Sequence, residues 1–165
     1  MKIKFRYANQ QDLPAIVETY NSTIPSRLVT ADLEPVTVES RKDWFHSHSP
    51  EKRPLWIVSL DDQYAGWMSF KSFYGRPAYD GTVEMSIYLE ESCRNKGVGQ
   101  ACIEQALNEA PGLKIHTLLG FIFGHNTPSL NLFYKNGFEK WAQLPEVADM
   151  DGKMIDLIIL GRKVG

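Results

Sequence analysis

The stretch from Thr82 to about Ala110 constrains this chain more than any other. It begins as a strict alternation, Thr82-Val83-Glu84-Met85-Ser86-Ile87-Tyr88-Leu89, which has the period of a strand. A short loop follows, Ser92-Cys93-Arg94-Asn95-Lys96-Gly97-Val98-Gly99-Gln100-Ala101, and runs into a helix. A strand that feeds such a loop into a helix N-terminus gathers unpaired backbone N–H groups and partial positive charge at one spot, which suits a phosphate. Arg94 and Lys96 add charge there, and Gly97 and Gly99 let the backbone come close. A nucleoside-triphosphate loop would end in Gly-Lys-Ser/Thr, but Gly99 is followed by Gln100-Ala101. A dinucleotide fingerprint would need a third glycine where Cys102 stands. What remains is Arg-x-x-Gly-x-Gly, at Arg94, Gly97 and Gly99.

The flanking sequence predicts one α/β domain over residues 1–165. Residues 3–7 alternate as a first strand, and Asp12 opens a helix that tolerates Pro14 in its first turn. Residues 22–35 carry two prolines without a clear period and read as a long loop. Thr37 is the expected N-cap of a helix through Trp44 and Phe45. Strands are predicted at 55–60 and 64–73 around a turn at Asp61-Asp62-Gln63, and Gly75-Arg76-Pro77 breaks the pattern. After the 82–89 strand come a helix from Gly97 to about Ala110 and a strand at 115–123. Thr127-Pro128 then opens a helix that Gly137 closes. Strands at 138–144 and 154–160 flank Asp151-Gly152. This order suits a central mixed sheet covered by helices. At 165 residues, 43% of them hydrophobic, the chain can bury one sizeable core. A net charge of −2 gives no electrostatic reason to expect nucleic acid or an anionic membrane as a partner. With no apolar run of bilayer length and an alternating N-terminus, the expected location is the cytoplasm. Cys93 and Cys102 are then expected as free thiols.

The Arg94–Gly99 pattern resembles the pyrophosphate loop of the GNAT acetyltransferases. The 82–89 strand looks like that family's acetyl-CoA strand. Asn126-Thr127-Pro128-Ser129, followed by Leu132-Phe133-Tyr134-Lys135-Asn136-Gly137-Phe138, looks like its later cofactor helix with the closing Gly-Phe. The resemblance extends over nearly the whole chain towards the branch typified by phosphinothricin acetyltransferases, through Tyr20-Asn21, Glu34-Pro35 with Thr37, Trp44-Phe45, Gly66-Trp67, Arg76, Ala78-Tyr79 and Val83-Glu84. It implies a seven-stranded, mostly antiparallel mixed sheet, splayed at the cofactor site and flanked by helices. It also implies acetyl-CoA as cosubstrate with no metal, a small-molecule amine as acceptor, and a homodimer. Carried over residue by residue, the cofactor contacts fall on Ile87, Tyr88 and Leu89, on the loop Arg94, Asn95, Lys96, Gly97, Val98, Gly99 and Gln100, and on Asn126, Ser129 and Phe133. Ile87 and Leu89 would offer backbone groups to the pantetheine arm, in the manner of an added strand.

Amine acetylation also needs a proton acceptor, because an ammonium is no nucleophile. Glu84 is the candidate: it shares a strand face with Thr82, Ser86 and Tyr88, and it stands where the branch carries its proposed base. The alternative is a solvated or salt-bridged strand carboxylate. A backbone N–H, first of all that of Ile87, is expected to polarise the thioester carbonyl. Tyr74, Arg76 and Tyr79 lie in the loop before the Glu84 strand and could line an acceptor pocket, with Arg76 on a carboxylate. The alternative there is a surface loop packed by its own aromatics. Three departures bear on the chemistry and the acceptor. Phe133 stands where many family members carry the tyrosine thought to protonate the departing thiolate, and Tyr134 is about 100° further round the helix. Thr30-Ala31-Asp32 replaces the branch's Thr-Phe-Glu. The hairpin Asp149-Met150-Asp151-Gly152 is acidic where the branch usually has His or Lys. The expected reaction is therefore direct acetyl transfer to a small amino acid or analogue. A protein or peptide amine as acceptor and a non-catalytic acyl-CoA sensor are the alternatives.

Overall fold

A computed structural model describes residues 1–165. Seven strands form one sheet: β1 (Ile3–Tyr7), β2 (Leu55–Leu60), β3 (Gln63–Ser72), β4 (Thr82–Leu89), β5 (Thr117–Phe123), β6 (Glu139–Met150) and β7 (Lys153–Lys163). Four α-helices flank it: α1 (Leu13–Ser22), α2 (Lys42–His46), α3 (Val98–Glu109) and α4 (Thr127–Lys135). The strand order is β1-β2-β3-β4-β5-β7-β6. Every neighbouring pair is antiparallel except β4 and β5, which are parallel because α3 carries the chain back between them. The expected mixed, mostly antiparallel α/β sheet is thus the observed one.

Strand alternation decides which helices cover which face. Trp56, Val58, Met68, Phe70, Val83 and Met85 project to one side and join Val98, Cys102, Ile103 and Ala106 of α3 and Phe133 of α4 in the main core. Leu55, Ile57 and Trp67 project to the other side and pack on Ile16 of α1, with Tyr20, Trp44 and Phe45 around them. β2 is apolar on both faces for this reason, as a strand buried between two layers must be.

The parallel ladder is short. β4 and β5 pair only at Thr82↔Thr117, Val83↔Leu118 and Glu84↔Leu119. β4 nevertheless stays on β3 as far as Leu89↔Gly66, and β5 stays on β7 as far as Phe123↔Leu157. Beyond Glu84 the sheet therefore divides into two halves that open like a V.

The last two strands run longer than the sequence predicts, Glu139–Met150 and Lys153–Lys163 against 138–144 and 154–160. The expectation stopped β6 before Pro145. Pro145 is accommodated because β6 is an edge strand with a register shift between Leu144 and Ala148, and Glu146 takes φ +51° inside that bulge. Phe138 lies outside β6. It completes a Schellman cap on α4: its N–H donates to the Phe133 carbonyl and the Gly137 N–H to that of Tyr134, both at 3.1 Å, with Gly137 at φ +83°. The Phe133 and Phe138 rings meet edge to face at 4.9 Å and supply the cap's apolar contact. At the other end of the chain, Asn9 rather than Asp12 provides the side-chain cap. Its Oδ1 accepts from Gln11 N–H at 2.9 Å, while Asp12 is committed to Arg6 through two 2.8 Å hydrogen bonds.

Gly120 on β5 has the Phe133 ring where a side chain would begin, 2.8 Å from an added Cβ. Gly120→Ala is expected to overpack this contact and lower unfolding stability by about 1–3 kcal/mol, read from the midpoint of urea denaturation.

Candidate active site

A cleft of about 830 Å³ occupies the V. Its walls are residues 84–89 of β4 and 120–123 of β5. One end is bounded by Arg94, Asn95 and Gly99, with Asn126, Ser129, Leu132 and Phe133 of the α4 region beside them. The other end is bounded by Tyr20, Arg41, Trp44, Trp67 and Lys71, and residues 23–36 contribute a further wall.

The strand register shows which backbone groups face the opening. Glu90 N–H donates to Ala65 O at 2.8 Å and Phe73 N–H to Thr82 O at 3.4 Å, so the even-numbered residues of β4 hydrogen-bond to β3. The odd-numbered residues point their N–H and C=O towards β5. With no β5 pairing beyond Glu84, the backbone groups of Ile87 and Leu89 are left for a ligand lying in the cleft. Those of Tyr88 are taken by β3, so only its side chain reaches the cavity.

At the loop end, Asn95 and Gly97 take φ +60° and +81°, the left-handed region in which glycine is unstrained. Gly97 caps α3 with no side-chain hydrogen bond, so the first N–H groups of that helix remain unsatisfied. Space around Gly97 is open, and its need is for the backbone angle. Gly99 differs, because an added Cβ would stand 3.0 Å from Leu132 of α4. Val98 is buried in the main core and Lys96 lies exposed off the cleft. Gln100 also lies off it: its amide exchanges two 2.8 Å hydrogen bonds with Asn136 and ties α3 to the end of α4. Asn126 is similarly committed. Its Oδ1 accepts from Ser129 N–H at 3.4 Å, and its Nδ2 donates to the Leu28 carbonyl at 3.2 Å.

Glu84 sits at the vertex of the V and lines the cleft. Burial raises its carboxyl above the ordinary range, and the charge of Lys71, directly opposite on β3, offsets this in part. A carboxyl so placed is better matched to taking a proton near neutral pH. The register Trp67↔Tyr88, Ser69↔Ser86 and Lys71↔Glu84 puts these six side chains on one face, where residues of α1 and α2 pack on Trp67 and Tyr88. Trp67 stacks on Tyr88 at 4.7 Å, Trp44 meets Trp67 at 5.2 Å, and Tyr20 lies 5.1 Å from Tyr88. Burial pushes both phenols upward, with Asp32 reinforcing the effect at Tyr20, so both remain protonated donors at neutral pH. The Tyr20 hydroxyl donates to Asp32 and also bonds Thr30 Oγ1 at 2.5 Å.

The three loop residues expected at an acceptor pocket lie off this cleft. Tyr74, Arg76 and Tyr79 are exposed between β3 and β4. Tyr74 packs on Phe73 at 4.7 Å and on Tyr79 at 5.4 Å. Arg53, itself buried, clamps both ends of this loop through 2.8 Å bonds to Ser72 Oγ and the Asp80 carbonyl. Tyr134 is likewise exposed and off the cleft, with Phe133 on it, so the one-residue shift does carry the hydroxyl away. Sequence reading missed Tyr20, Arg41, Trp44, Trp67 and Lys71 as cleft residues. For Trp67 and Lys71 a partial signal existed, since β3 and β4 are consecutive strands and antiparallel pairing across the 73–81 loop sets them opposite Tyr88 and Glu84. No group of three or more His, Cys, Asp or Glu side chains converges as a metal site.

A split sheet with a free strand edge and an uncapped helix on one cleft defines a class, and sequence comparison agrees with it. The acetyltransferase (GNAT) family model matches residues 14–138, and the chain belongs to that family. It is an acetyl-CoA-dependent N-acetyltransferase. Among its relatives, a Bacillus subtilis (strain 168) protein named "Putative phosphinothricin acetyltransferase YwnH" is 54% identical over 160 residues, covering 96% of this chain and 98% of its own. An L-methionine sulfoximine/L-methionine sulfone acetyltransferase of Pseudomonas paraeruginosa is 27% identical over 161 residues, covering 97% and 94%. The crystal structure of a GNAT superfamily phosphinothricin acetyltransferase from Sinorhizobium meliloti in complex with acetyl-CoA has the same fold, with a TM-score of 0.93 at 24% identity over 100% of this chain and 90% of that one.

Because the folded state holds the Glu84 proton more tightly than the unfolded chain does, the ionised carboxylate destabilises the fold above both values and costs nothing below them. Glu84→Gln is therefore expected to melt higher than the wild type near about pH 8, and the gain should vanish below the unfolded carboxyl value of about 4.3, measured as Tm against pH.

Proposed function

We propose that this enzyme acetylates the primary amine of a small molecule, an amino acid or analogue of the phosphinothricin or methionine sulfoximine/sulfone type, by direct attack in a ternary complex. One observation carries the reading: the β4–β5 ladder ends at Glu84, so a proton acceptor stands where the free strand edge begins. Acetyl-CoA would lie along that edge. The N–H and C=O of Ile87 and Leu89 take its pantetheine arm, and the first turn of α3 with Arg94 and Asn95 takes its pyrophosphate. The N–H of Ile87 also faces the thioester oxygen as charge builds there. Glu84 accepts the amine proton, directly or through one water, and the amine attacks the acetyl carbonyl. The tetrahedral intermediate then expels CoA as thiolate. Phe133 offers it no proton, and none is required for departure, because a thiol of pKa about 8.5 is a good leaving group. The acceptor class rests on the names of the relatives and on the enclosed, aromatic-walled end of the cleft, which suits a small molecule better than a peptide.

The same reading includes a homodimer. Tyr74 is 68% and Tyr79 42% exposed on a loop whose two ends are clamped by Arg53, an arrangement suited to burial against a second copy. Light scattering is expected to give the mass of two chains, and a Tyr74→Ser, Tyr79→Ser double variant that of one. An unchanged mass in the variant would remove this loop from the interface.

The catalytic assignment is tested by thiol release with acetyl-CoA against methionine sulfone, methionine sulfoximine and phosphinothricin. Glu84→Gln is expected to lower kcat by about 100-fold or more while acetyl-CoA affinity holds. In the wild type, kcat/KM should fall as pH drops through a value above the ordinary ~4.3 of a glutamate, and the variant should lack that limb. Equal loss of turnover and of cofactor affinity would end the role of Glu84 as base.

A further inference from the structure

The acceptor end of the cleft holds a guanidinium with most of its hydrogen-bonding capacity unused. Arg41 closes the 3-10 turn Glu39–Arg41, which Thr37 and Ser40 fix by exchanging backbone-to-hydroxyl bonds of 3.0 and 3.1 Å. Its guanidinium carbon lies 4.7 Å above the Tyr20 ring and 5.8 Å from that of Trp44. Stacking of this kind fixes the plane of the group and leaves its N–H edge free to point outward. Of five donors, one meets a side-chain partner, Asp32, at 3.1 Å. That partner is a weak counter-ion, because its carboxylate is 43% exposed and also accepts from Tyr20.

We propose that Arg41 is the receptor for the carboxylate of the amino-acid acceptor. The proposal deepens the acetyl-transfer reading and rests on it. Two other cations could be considered. Lys71 lies on the cleft opposite Glu84, where its charge offsets the burial of that carboxyl, but it is a point charge without the planar fork of a guanidinium. Arg76 lies off the cleft, exposed on the β3–β4 loop. Arg41 thus offers the planar two-point geometry that a carboxylate matches, on the same cavity as the proton acceptor. An acceptor held in this way presents its amine with one end already fixed, so binding energy from the acid group serves to orient the attack.

The test compares methionine sulfone with its carboxamide, which keeps the amine and side chain but loses the charge. Arg41→Gln is expected to raise KM for the free acid about 10- to 100-fold while leaving KM for the carboxamide within about twofold. KM for acetyl-CoA should hold. Arg41→Lys should recover part of the loss, since it keeps the charge without the fork. Equal effects on acid and amide would assign Arg41 a merely structural role. A selective loss in Arg76→Gln instead would move the carboxylate to that residue. Both results overturn the proposal. A wild type that acetylates other amines but neither methionine sulfone nor its amide would remove the amino-acid reading itself, and the assignment to Arg41 with it.

Discussion

The early end of one β-ladder governs this molecule. β4 and β5 begin as ordinary parallel neighbours and part after Glu84, yet each remains fully paired on its other side. Backbone polar groups buried without partners are costly, so a gap of this kind persists only where water or a ligand reaches it. The gap here is the cleft. Its floor is set by the three paired residues, its edge by Ile87 and Leu89, and its single unpaired carboxylate by the last paired position.

The two sides of the gap are held by different means. On the β5 side, the absence of a side chain at Gly120 lets the Phe133 ring sit against the strand, and the cap formed by Gly137 and Phe138 locks that ring from behind. The amides of Gln100 and Asn136 then bind α3 to α4. On the β4 side, aromatic rings do the holding. Trp67, Tyr88, Tyr20 and Trp44 contact one another in series and line the same cleft as Arg41, Lys71 and Glu84. The features proposed to hold acetyl-CoA, the β4 edge and the start of α3, are thus backbone, whereas the wall on the α1–α2 face of β3 and β4 is made of large side chains.

That difference explains how much could be read from sequence. Backbone-built features leave local marks: the 82–89 alternation, the glycines at 97 and 99, the Thr127-Pro128 helix start and the Gly137 stop all lie where expected. So does Glu84, because alternation alone fixes its face. The aromatic wall is assembled from α1, the turn into α2, and β3, which are distant in the chain, and no local period announces that Tyr20, Arg41 and Trp67 converge. Where sequence reading chose loop residues by proximity to Glu84, as with Arg76 and Tyr79, the loop lies off the cleft, clamped by a buried arginine distant in sequence. The full extent of β6 was hidden by Pro145, which reads as a strand end and is instead a bulge on an edge.

Residues 23–36 stretch across the opening and are fastened on the far half. Arg27 bonds Asp151 on the β6–β7 turn at 2.7 Å, His125 Nε2 meets the Arg27 carbonyl at 3.1 Å, and Asn126 holds the Leu28 carbonyl. On the near half, Asn21 grips Val36 through two 2.9 Å bonds. A strap moored this way makes the tip of the β6–β7 hairpin part of the shape of a distant cleft wall. A substitution at a mooring point can therefore reshape that wall from afar while the split between β4 and β5 stays as it is.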